Sequence, residues 1–397
     1  MNRQTELDGL RAIAILLVIA FHAWFFLQFA MPEKQTFLAF SDALPWIAGF
    51  IRRGDVGVDV FFVLSGYLLS LQLFYEFKKN DRLNFLRFYQ RRLFRIYPLY
   101  IIALALVSVG AGPSLALMGN LFAYNIWFDP FEVIIPWSWS LSVELEYYAI
   151  APLLVLFALN QRRLMFLVLG FCALSVGYSF WVLAAFPQLT RFSIIDLEIA
   201  ENRTDLTLYY KHLYVSMPVR LAQFILGLAG AWIIAYHSEK FAAFARRYSV
   251  LLTVVALAGL AAPLLYNPHG EMANANQLAA FVEMRFGRVV FAFAVALVIM
   301  LMQIGQARKL SRVLSAKPLE PIARFSFSMY LFHPLFVYLG ITFWVGSDTV
   351  STISFAAYLG VFLTAVVGSM LLGFLTWYGI ESPAINFGRR LGNQSKP

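Results

Sequence analysis

The chain has 397 residues, 60% of them hydrophobic and only 13% charged, and its formal net charge at pH 7 is +9. A soluble domain is about half apolar and a quarter charged, so this composition excludes a soluble protein and indicates an integral membrane protein. The apolar runs do not alternate with polar residues, which excludes a β-barrel and predicts an all-α, polytopic helical bundle. The basic residues cluster in short loops and are assigned to membrane topology, with no nucleic acid as a partner.

Ten apolar runs are long enough to span a bilayer. With ten spans, the basic loop 76–95 and most other basic loops share one side with both termini, which places the termini in the cytoplasm. A further stretch at 114–135 would break this charge distribution if it crossed, so we expect it to be re-entrant or to lie on the outer face. The ten runs lie at residues 10–30, 56–75, 96–112, 139–160, 164–186, 217–237, 248–266, 288–304, 326–345 and 354–378.

Two regions are predicted, a transmembrane domain at 1–385 and a short basic cytoplasmic tail at 386–397. The outward loops are short, so any chemistry must take place within the bundle or at its surface. Neither a His-Glu-x-x-His pattern nor a cysteine cluster occurs, since Cys172 is the single cysteine. We therefore expect no metal site.

The first predicted span holds Arg11 near its start and His22 towards its other end. Eleven residues correspond to about 1100° of helix, close to three whole turns, so both side chains lie on one face, ~16 Å apart along the axis. Arg11 alone is compatible with an anchor at the membrane surface, and His22 with a packed histidine bonded to a neighbouring helix. A titratable group in mid-span is typical of a functional site, and the shared face favours a ligand that meets Arg11 first and extends towards His22.

The second predicted span begins with two aspartates, Asp55 and Asp59, which share a helix face near the outer end. Asp59 lies one turn into the membrane and needs a partner, for which Arg52 and Arg53 are the candidates. The Ser65-Gly66 pair is expected to serve close helix packing rather than nucleophilic catalysis, because no Gly-x-Ser-x-Gly pattern surrounds it.

Arg92 and Arg95 are three residues apart and share a helix face at the membrane surface. Positive-inside anchoring accounts for them. A clamp for a phosphorylated ligand accounts for them equally well, because a guanidinium group binds phosphate through two hydrogen bonds. Both interpretations stay open at this point.

Polar groups also occur in the fourth and ninth predicted spans. Glu144 lies about a turn and a half inside the fourth span and is a candidate proton carrier or orienter of a histidine. Glu146 faces elsewhere. Tyr330 and His333 are three residues apart and share one face of the ninth span.

Six motifs in this order resemble the membrane acyltransferase-3 family, which includes bacterial O-antigen and exopolysaccharide O-acetyltransferases. The resemblance covers residues 5 to 385, and the set of motifs is far more specific than any single one. The motifs are LDGLR at 7–11 with His22, GVDVFFVLSG at 57–66, RLFR at 92–95, WSLSVE at 139–144, SMYLFH at 328–333 and ESP at 381–383.

The resemblance implies a membrane O-acyltransferase that moves an acyl group, expected to be acetyl, from cytoplasmic acyl-CoA to a hydroxyl of an O-antigen, exopolysaccharide or similar envelope glycan. It implies a multi-pass protein of the bacterial inner membrane, with acetyl-CoA as donor substrate and a glycan or lipid-linked glycan as acceptor. Arg11 and His22 match the family's essential pair. Arg92 and Arg95 match its arginine motif, to which donor binding is ascribed.

The site hypothesis follows from these matches. His22 acts as general base or as transient acyl carrier, with Glu144 or Asp59 orienting its ring. The predicted catalytic residues are His22, Arg11, Glu144 and Asp59, and the predicted donor-binding residues are Arg92, Arg95, Arg11, Tyr330 and His333.

Two features depart from the family pattern. The stretch 143–148 has the sequence VELEYY where many relatives carry VEEQFY. Larger relatives append a soluble esterase-like domain, which this sequence lacks, so we expect the chain to meet its acceptor directly or to pass the acyl group to a separate protein.

Two other classes of function compete with the acyltransferase. Intramembrane Arg, His, Asp and Glu also suit a proton-coupled exporter of a glycan or small molecule, although the sequence shows no paired repeats with matching broken helices. A scaffold of an envelope-synthesis complex would leave the alignment of Arg11 with His22 unexplained. The sequence predicts no oligomeric state.

Overall fold

The computed structural model describes residues 4–31, 34–45, 48–109, 114–129, 132–190, 202–265, 282–346 and 353–394. Every regular element within these ranges is helical, which confirms the predicted all-α bundle. Three π-helical turns, Tyr209–Tyr214, Glu283–Gly287 and Trp377–Glu381, directly adjoin α-helices. The α-helices are α1 (Thr5–Ala30), α2 (Lys34–Ala43), α3 (Gly49–Arg52), α4 (Val56–Asn80), α5 (Phe85–Val107), α6 (Leu115–Leu121), α7 (Trp139–Phe157), α8 (Gln161–Ala185), α9 (Arg203–Leu208), α10 (Met217–Arg247), α11 (Ser249–Leu265), α12 (Arg288–Gln303), α13 (Arg308–Leu314), α14 (Leu319–Trp344), α15 (Phe355–Thr376) and α16 (Ser382–Gln394).

Eight helical stretches among the described residues are long and apolar enough to cross a membrane, so the chain is a multi-pass membrane protein. The span predicted at 248–266 falls on the shorter apolar helix Ser249–Pro263. The span predicted at 96–112 falls on the second half of α5, whose first half is rich in arginine. The number of crossings and the cytoplasmic position of both termini stay predictions. The eight stretches are Thr5–Ala30, Val56–Asn80, Pro136–Phe157, Gln161–Ala185, Arg203–Arg247, Glu283–Gln303, Leu319–Trp344 and Phe355–Gly392.

Helices α4 and α10 approach each other through glycines. A Cβ atom at Gly66 would lie 2.2 Å from the Phe224 carbonyl oxygen, and one at Gly227 would lie 2.3 Å from the Val63 carbonyl oxygen. In lipid, helices associate through close packing rather than through the hydrophobic effect, and small residues make that packing possible. The prediction that the Ser65-Gly66 pair serves packing is confirmed for its glycine.

Helix α1 lies between α4 and α14 and so brings its polar side chains to the centre of the bundle. At Gly57 in α4, a Cβ atom would lie 2.4 Å from the Ala14 carbonyl oxygen of α1. On its other side α1 packs along α14, and Ile15, Val18 and Ile19 are completely buried. This position decides which groups Arg11 and His22 can meet.

The stretch 114–138 forms a short helix and two 3₁₀ turns rather than one spanning helix over its described residues. Asn120 and Asn125 are buried and both donate to the Ser138 hydroxyl, at 3.1 Å and 2.8 Å. The Tyr100 hydroxyl of α5 donates to the Asn120 carbonyl oxygen at 2.9 Å. This hydrogen-bonded stretch packs against α5 and leads directly into α7, in keeping with the prediction that it does not cross the membrane.

The predicted tail at 386–397 is helical up to Gln394, the last described residue, as part of α16. Helix α16 packs along α5, where the rings of Phe94 and Phe387 lie 5.3 Å apart. The boundary between domain and tail stays a prediction.

Candidate active site

A cavity of about 1310 Å³ opens between α1, α4, α5, α7 and α14. Its basic lining includes Arg11 from α1 and both Arg92 and Arg95 from α5, and the exposed Lys79 and Arg82 also contribute to its wall. The structure therefore brings the three predicted donor-binding arginines into one cavity. Local sequence could place each of them on a helix face, whereas the packing of α5 against the bundle makes the faces converge.

The Arg92 side chain is held by contacts from three directions. Its Nη2 donates to Gln72 Oε1 at 3.3 Å, and its guanidinium carbon lies 5.8 Å from the ring centroids of both Phe88 and Tyr148. Aromatic faces attract a guanidinium group, so these rings help to fix the position of Arg92 at the cavity wall. Arg11 has an acidic neighbour on its own helix, Asp8, at 3.5 Å.

Glu144 of α7 lines the same cavity. Its Oε1 accepts hydrogen bonds from the hydroxyl groups of Ser65 and Tyr148. These hydroxyls hold the Glu144 carboxylate at the cavity wall. The sequence analysis expected Glu144 or Asp59 to orient His22, but the groups that contact His22 Nδ1 are the Val18 carbonyl oxygen and His333. Glu146, by contrast, accepts a hydrogen bond from the Trp127 indole at 2.9 Å, which links the segment before α7 to α7 itself.

His22 pairs with a second histidine. Its Nδ1 lies 2.9 Å from the Val18 carbonyl oxygen and 3.1 Å from Nε2 of His333, and the two imidazole centroids are 4.8 Å apart. His333 is completely buried, whereas His22 keeps part of its surface accessible. The sequence analysis singled out both residues but did not pair them, because they lie on α1 and α14, far apart in the chain.

Tyr330 borders both the cavity and the histidine pair. It lines the cavity, and its ring lies 6.1 Å from the ring of His333, whereas His22 and His333 are absent from the described cavity lining. The Tyr330 hydroxyl bonds to the Ser140 hydroxyl at 2.7 Å and donates to the Trp137 carbonyl oxygen. Of the two donor-site candidates on α14, only Tyr330 therefore faces the cavity, while His333 contacts His22.

Asp59 belongs to a different cluster. Its carboxylate accepts from Arg220 and Arg288 at 2.7 Å each and from Gln223 at 2.8 Å, and it is completely buried. The prediction that Arg52 or Arg53 pairs with Asp59 was wrong. The ion pairs instead join α4 to α10 and α12, and Asp59 is absent from the described lining of the cavity.

Arg53 belongs to the same ionic cluster but pairs with other carboxylates. It pairs with Asp55 at 3.3 Å and with Glu283 at 2.9 Å, while Arg288 bridges from Asp59 to Asp55 at 3.2 Å. The shared face predicted for the two aspartates is confirmed by this bridge. The sequence analysis did not identify Arg220 and Arg288, although an arginine at the edge of an apolar run is itself a signal of a buried ion pair.

Within the described ranges, no group of three or more His, Cys, Asp or Glu side chains is arranged to hold a metal ion. The cavity instead gathers arginines, hydroxyls and the carboxylates of Glu76 and Glu144, and the two imidazoles form a pair beside Tyr330. Such a set can bind an anion and move a proton beside it.

A multi-pass bundle with an arginine-lined cavity and a histidine pair behind it suits a membrane-embedded transferase. The family model described as an acyltransferase domain matches residues 4–374, nearly the whole chain. The chain belongs to this family, the membrane acyltransferase-3 proteins that its motifs resemble, and it is a membrane acyltransferase.

Curated relatives agree with this assignment. BcsY of Komagataeibacter xylinus, named as a membrane-bound transacylase, is 26% identical over 98% of this chain and 85% of its own length. The peptidoglycan O-acetyltransferase OatA of Listeria monocytogenes is 32% identical over 43% of this chain and 28% of its own length. The O-acetyltransferase OatA of Staphylococcus aureus is 24% identical over 95% of this chain, which spans 56% of that protein. No solved structure matches the chain.

Proposed function

We propose that this chain is an O-acyltransferase of the bacterial inner membrane that moves an acyl group, in the simplest case acetyl, from cytoplasmic acyl-CoA to a hydroxyl of an envelope glycan. The observation that carries the proposal is the succession of neighbouring groups from the cavity to the histidine pair. A basic cavity comes first, then Tyr330, then the pair of His22 and His333. This order suits a phosphorylated donor whose reactive end must approach a base inside the bundle.

The donor end of the proposal rests on Arg11, Arg92 and Arg95. Guanidinium groups bind phosphate oxygens through paired, charge-assisted hydrogen bonds, and acyl-CoA carries several phosphates on its nucleotide. The cavity of about 1310 Å³ exceeds the roughly 300–1,000 Å³ of an ordinary small-molecule pocket. That volume accommodates a nucleotide together with the pantetheine arm.

His22 supplies the chemistry as a general base. Its Nε2 takes the proton from the acceptor hydroxyl while the hydroxyl oxygen attacks the thioester carbonyl carbon. The carbon–sulfur bond breaks, and the CoA thiolate leaves with the proton that the imidazolium returns. General-base assistance of this kind contributes about 10²–10⁴-fold to the rate. A transient acyl-imidazole at the same nitrogen would give the same products in two steps.

The acceptor and the location are supported by the relatives. The two OatA proteins are named as O-acetyltransferases, one of them of peptidoglycan, and both come from bacteria. A glycan hydroxyl is therefore the acceptor class to test first. A multi-pass helical protein of this composition fits a cytoplasmic membrane, where the donor lies on one side and envelope precursors are displayed on the other.

The test is transfer of radiolabel from acetyl-CoA in membranes that contain the wild type, His22→Ala or Arg308→Gln. Arg308 is an exposed arginine of α13 outside the described cavity lining, so it controls for expression and for loss of a positive charge. The acceptors are lipid-linked glycans and peptidoglycan fragments, separated and counted after the reaction.

Labelled glycan with the wild type and Arg308→Gln, but not with a folded His22→Ala, supports the proposal. Undiminished transfer by His22→Ala overturns the role of His22. Absence of transfer by folded wild type from acetyl-, propionyl- and butyryl-CoA to every acceptor overturns acyl-CoA as the donor.

A further inference from the structure

We infer that His333 is the positioning residue of this acyl transfer: it holds His22 with Nδ1 protonated and leaves His22 Nε2 as the basic nitrogen. The inference rests on the proposed function, because it concerns the residue assigned there as the base. It changes the expected role of His333 from donor binding to orientation of His22.

The proton on His333 follows from its neighbours. Nδ1 of this ring lies 2.8 Å from the Tyr330 carbonyl oxygen and 3.1 Å from the Met329 carbonyl oxygen. Carbonyl oxygens only accept hydrogen bonds, so Nδ1 of His333 carries the proton. In a neutral imidazole the other nitrogen, Nε2, is then an acceptor. His333 thus presents a lone pair to α1.

The proton on His22 follows in the same way. Its Nδ1 faces two acceptors, the Val18 carbonyl oxygen at 2.9 Å and Nε2 of His333 at 3.1 Å. A nitrogen between two acceptors must be the donor, so Nδ1 of His22 is protonated. Nε2 of His22 therefore carries the lone pair, and the ring keeps part of its surface accessible. The base is therefore prepared in the tautomer that the reaction needs.

His333 contributes something that Val18 cannot. The Val18 carbonyl belongs to the same helix as His22 and lies one turn before it, where it also serves the helix's own hydrogen-bond pattern. His333 lies on α14 and is completely buried, so it fixes the His22 ring with respect to a neighbouring helix. When Nε2 of His22 takes up a proton, the lone pair of His333 faces an imidazolium, and a charge-assisted hydrogen bond is roughly twice as strong as a neutral one.

The substitutions His333→Gln and His333→Phe separate positioning from packing. Glutamine can place an amide oxygen near the former Nε2 and accept from His22, but it lacks a ring. Phenylalanine keeps a ring of similar size and lacks both nitrogens. We expect His333→Phe to lower kcat by about 100-fold or more and His333→Gln to stay within about tenfold of the wild type. KM for acetyl-CoA should change little in either variant.

A purely packing role predicts the opposite order, with phenylalanine more active than glutamine. That order, or wild-type kcat in a folded His333→Phe, overturns the inference. His333→Asn provides a second variant, because its amide can still donate to the carbonyl oxygens of Tyr330 and Met329 but is too short to reach His22. It should lose kcat as phenylalanine does, and full activity of the asparagine variant also overturns the inference.

The two proposals fail in distinguishable ways. If His22→Ala is inactive while His333→Phe and His333→Asn are fully active, only the positioning role is refuted. If His22→Ala retains full transfer, the assignment of the base fails whatever the His333 variants do. Elution of each detergent-solubilised variant as a single symmetric peak verifies that kcat is compared between folded proteins.

Discussion

The hydroxyl of Tyr330 lies 2.7 Å from that of Ser140, so the helix that carries His333 is tied to the start of the helix that carries Glu144. The same hydroxyl bonds to the Trp137 carbonyl oxygen, and the Trp137 indole donates to the Leu331 carbonyl oxygen at 3.1 Å. These hydrogen bonds join α7 and α14 where Tyr330 and Ser140 line the cavity, and the proposed function places the reactive end of the donor there.

Removing the Tyr330 hydroxyl tests this connection. Tyr330→Phe should lower the free energy of unfolding by about 0.5–1.5 kcal/mol, the usual worth of an intramolecular hydrogen bond. The matched control is Tyr338→Phe on the same helix, where the side chain is 69% exposed. Thermal unfolding in detergent should show a lower midpoint for Tyr330→Phe and an unchanged one for Tyr338→Phe. Equal midpoints would mean that the hydrogen bonds of the Tyr330 hydroxyl do not stabilise the contact between α7 and α14.

Arg92 is expected to act on donor binding. Arg92→Gln should raise KM for acetyl-CoA by about tenfold or more, because a hydrogen bond to a charged group is worth about 1.5–3 kcal/mol. Arg308→Gln, on the exposed face of α13, should leave KM unchanged. The measurement is the initial rate against acetyl-CoA concentration in membranes, and an unaltered KM for Arg92→Gln would remove this arginine from the donor site.

We expect disruption of the buried ionic cluster to lower the stability of the protein more than its activity. Asp59→Ala leaves Arg220 and Arg288 without the carboxylate that each contacts at 2.7 Å. Breaking a buried pair in this way costs about 3–5 kcal/mol. Asp81→Asn, at the exposed end of the same helix, is the control. Unfolding by heat or denaturant should separate the two variants clearly, and similar stability would mean that the cluster is dispensable.

The glycine contact between α4 and α10 makes a steric prediction. Gly66→Ala introduces a Cβ atom 2.2 Å from the Phe224 carbonyl oxygen, so it should disrupt packing and lower the yield of folded protein. Gly177→Ala in α8 has open space around the new Cβ atom. Alanine favours a helix over glycine by about 1 kcal/mol, so Gly177→Ala should be neutral or stabilising. Comparable yields and midpoints for the two variants would disprove the close contact.

Much of this protein could be predicted from local patterns. Apolar runs of spanning length identify the membrane class and most of the helices, because a helix forms its backbone hydrogen bonds within one segment of chain. Helical periodicity places Arg92 near Arg95 on one face, and it makes Asp55 and Asp59 share the face that Arg288 bridges. The order of the motifs identifies the acyltransferase family before any tertiary contact is known.

The partners of the polar groups could not be predicted in this way. The sequence suggested Arg53 for Asp59 because it is near in the chain, whereas the structure pairs Asp59 with Arg220 and Arg288. It suggested a carboxylate beside His22, whereas the neighbouring group is the imidazole of His333.

The contacts between helices could not be predicted because of the way helices pack in lipid. Nearly every face of these helices is apolar, so hydrophobicity does not say which faces meet, and small residues and a few polar contacts decide. The sequence by itself determined the class, the helices and the residues able to do chemistry. Only the tertiary structure decided the rest. The packing of α1 against α14 decided that His22 meets His333, and the packing of α5 and α7 against the bundle decided that Arg11, Arg92, Arg95 and Glu144 share one cavity.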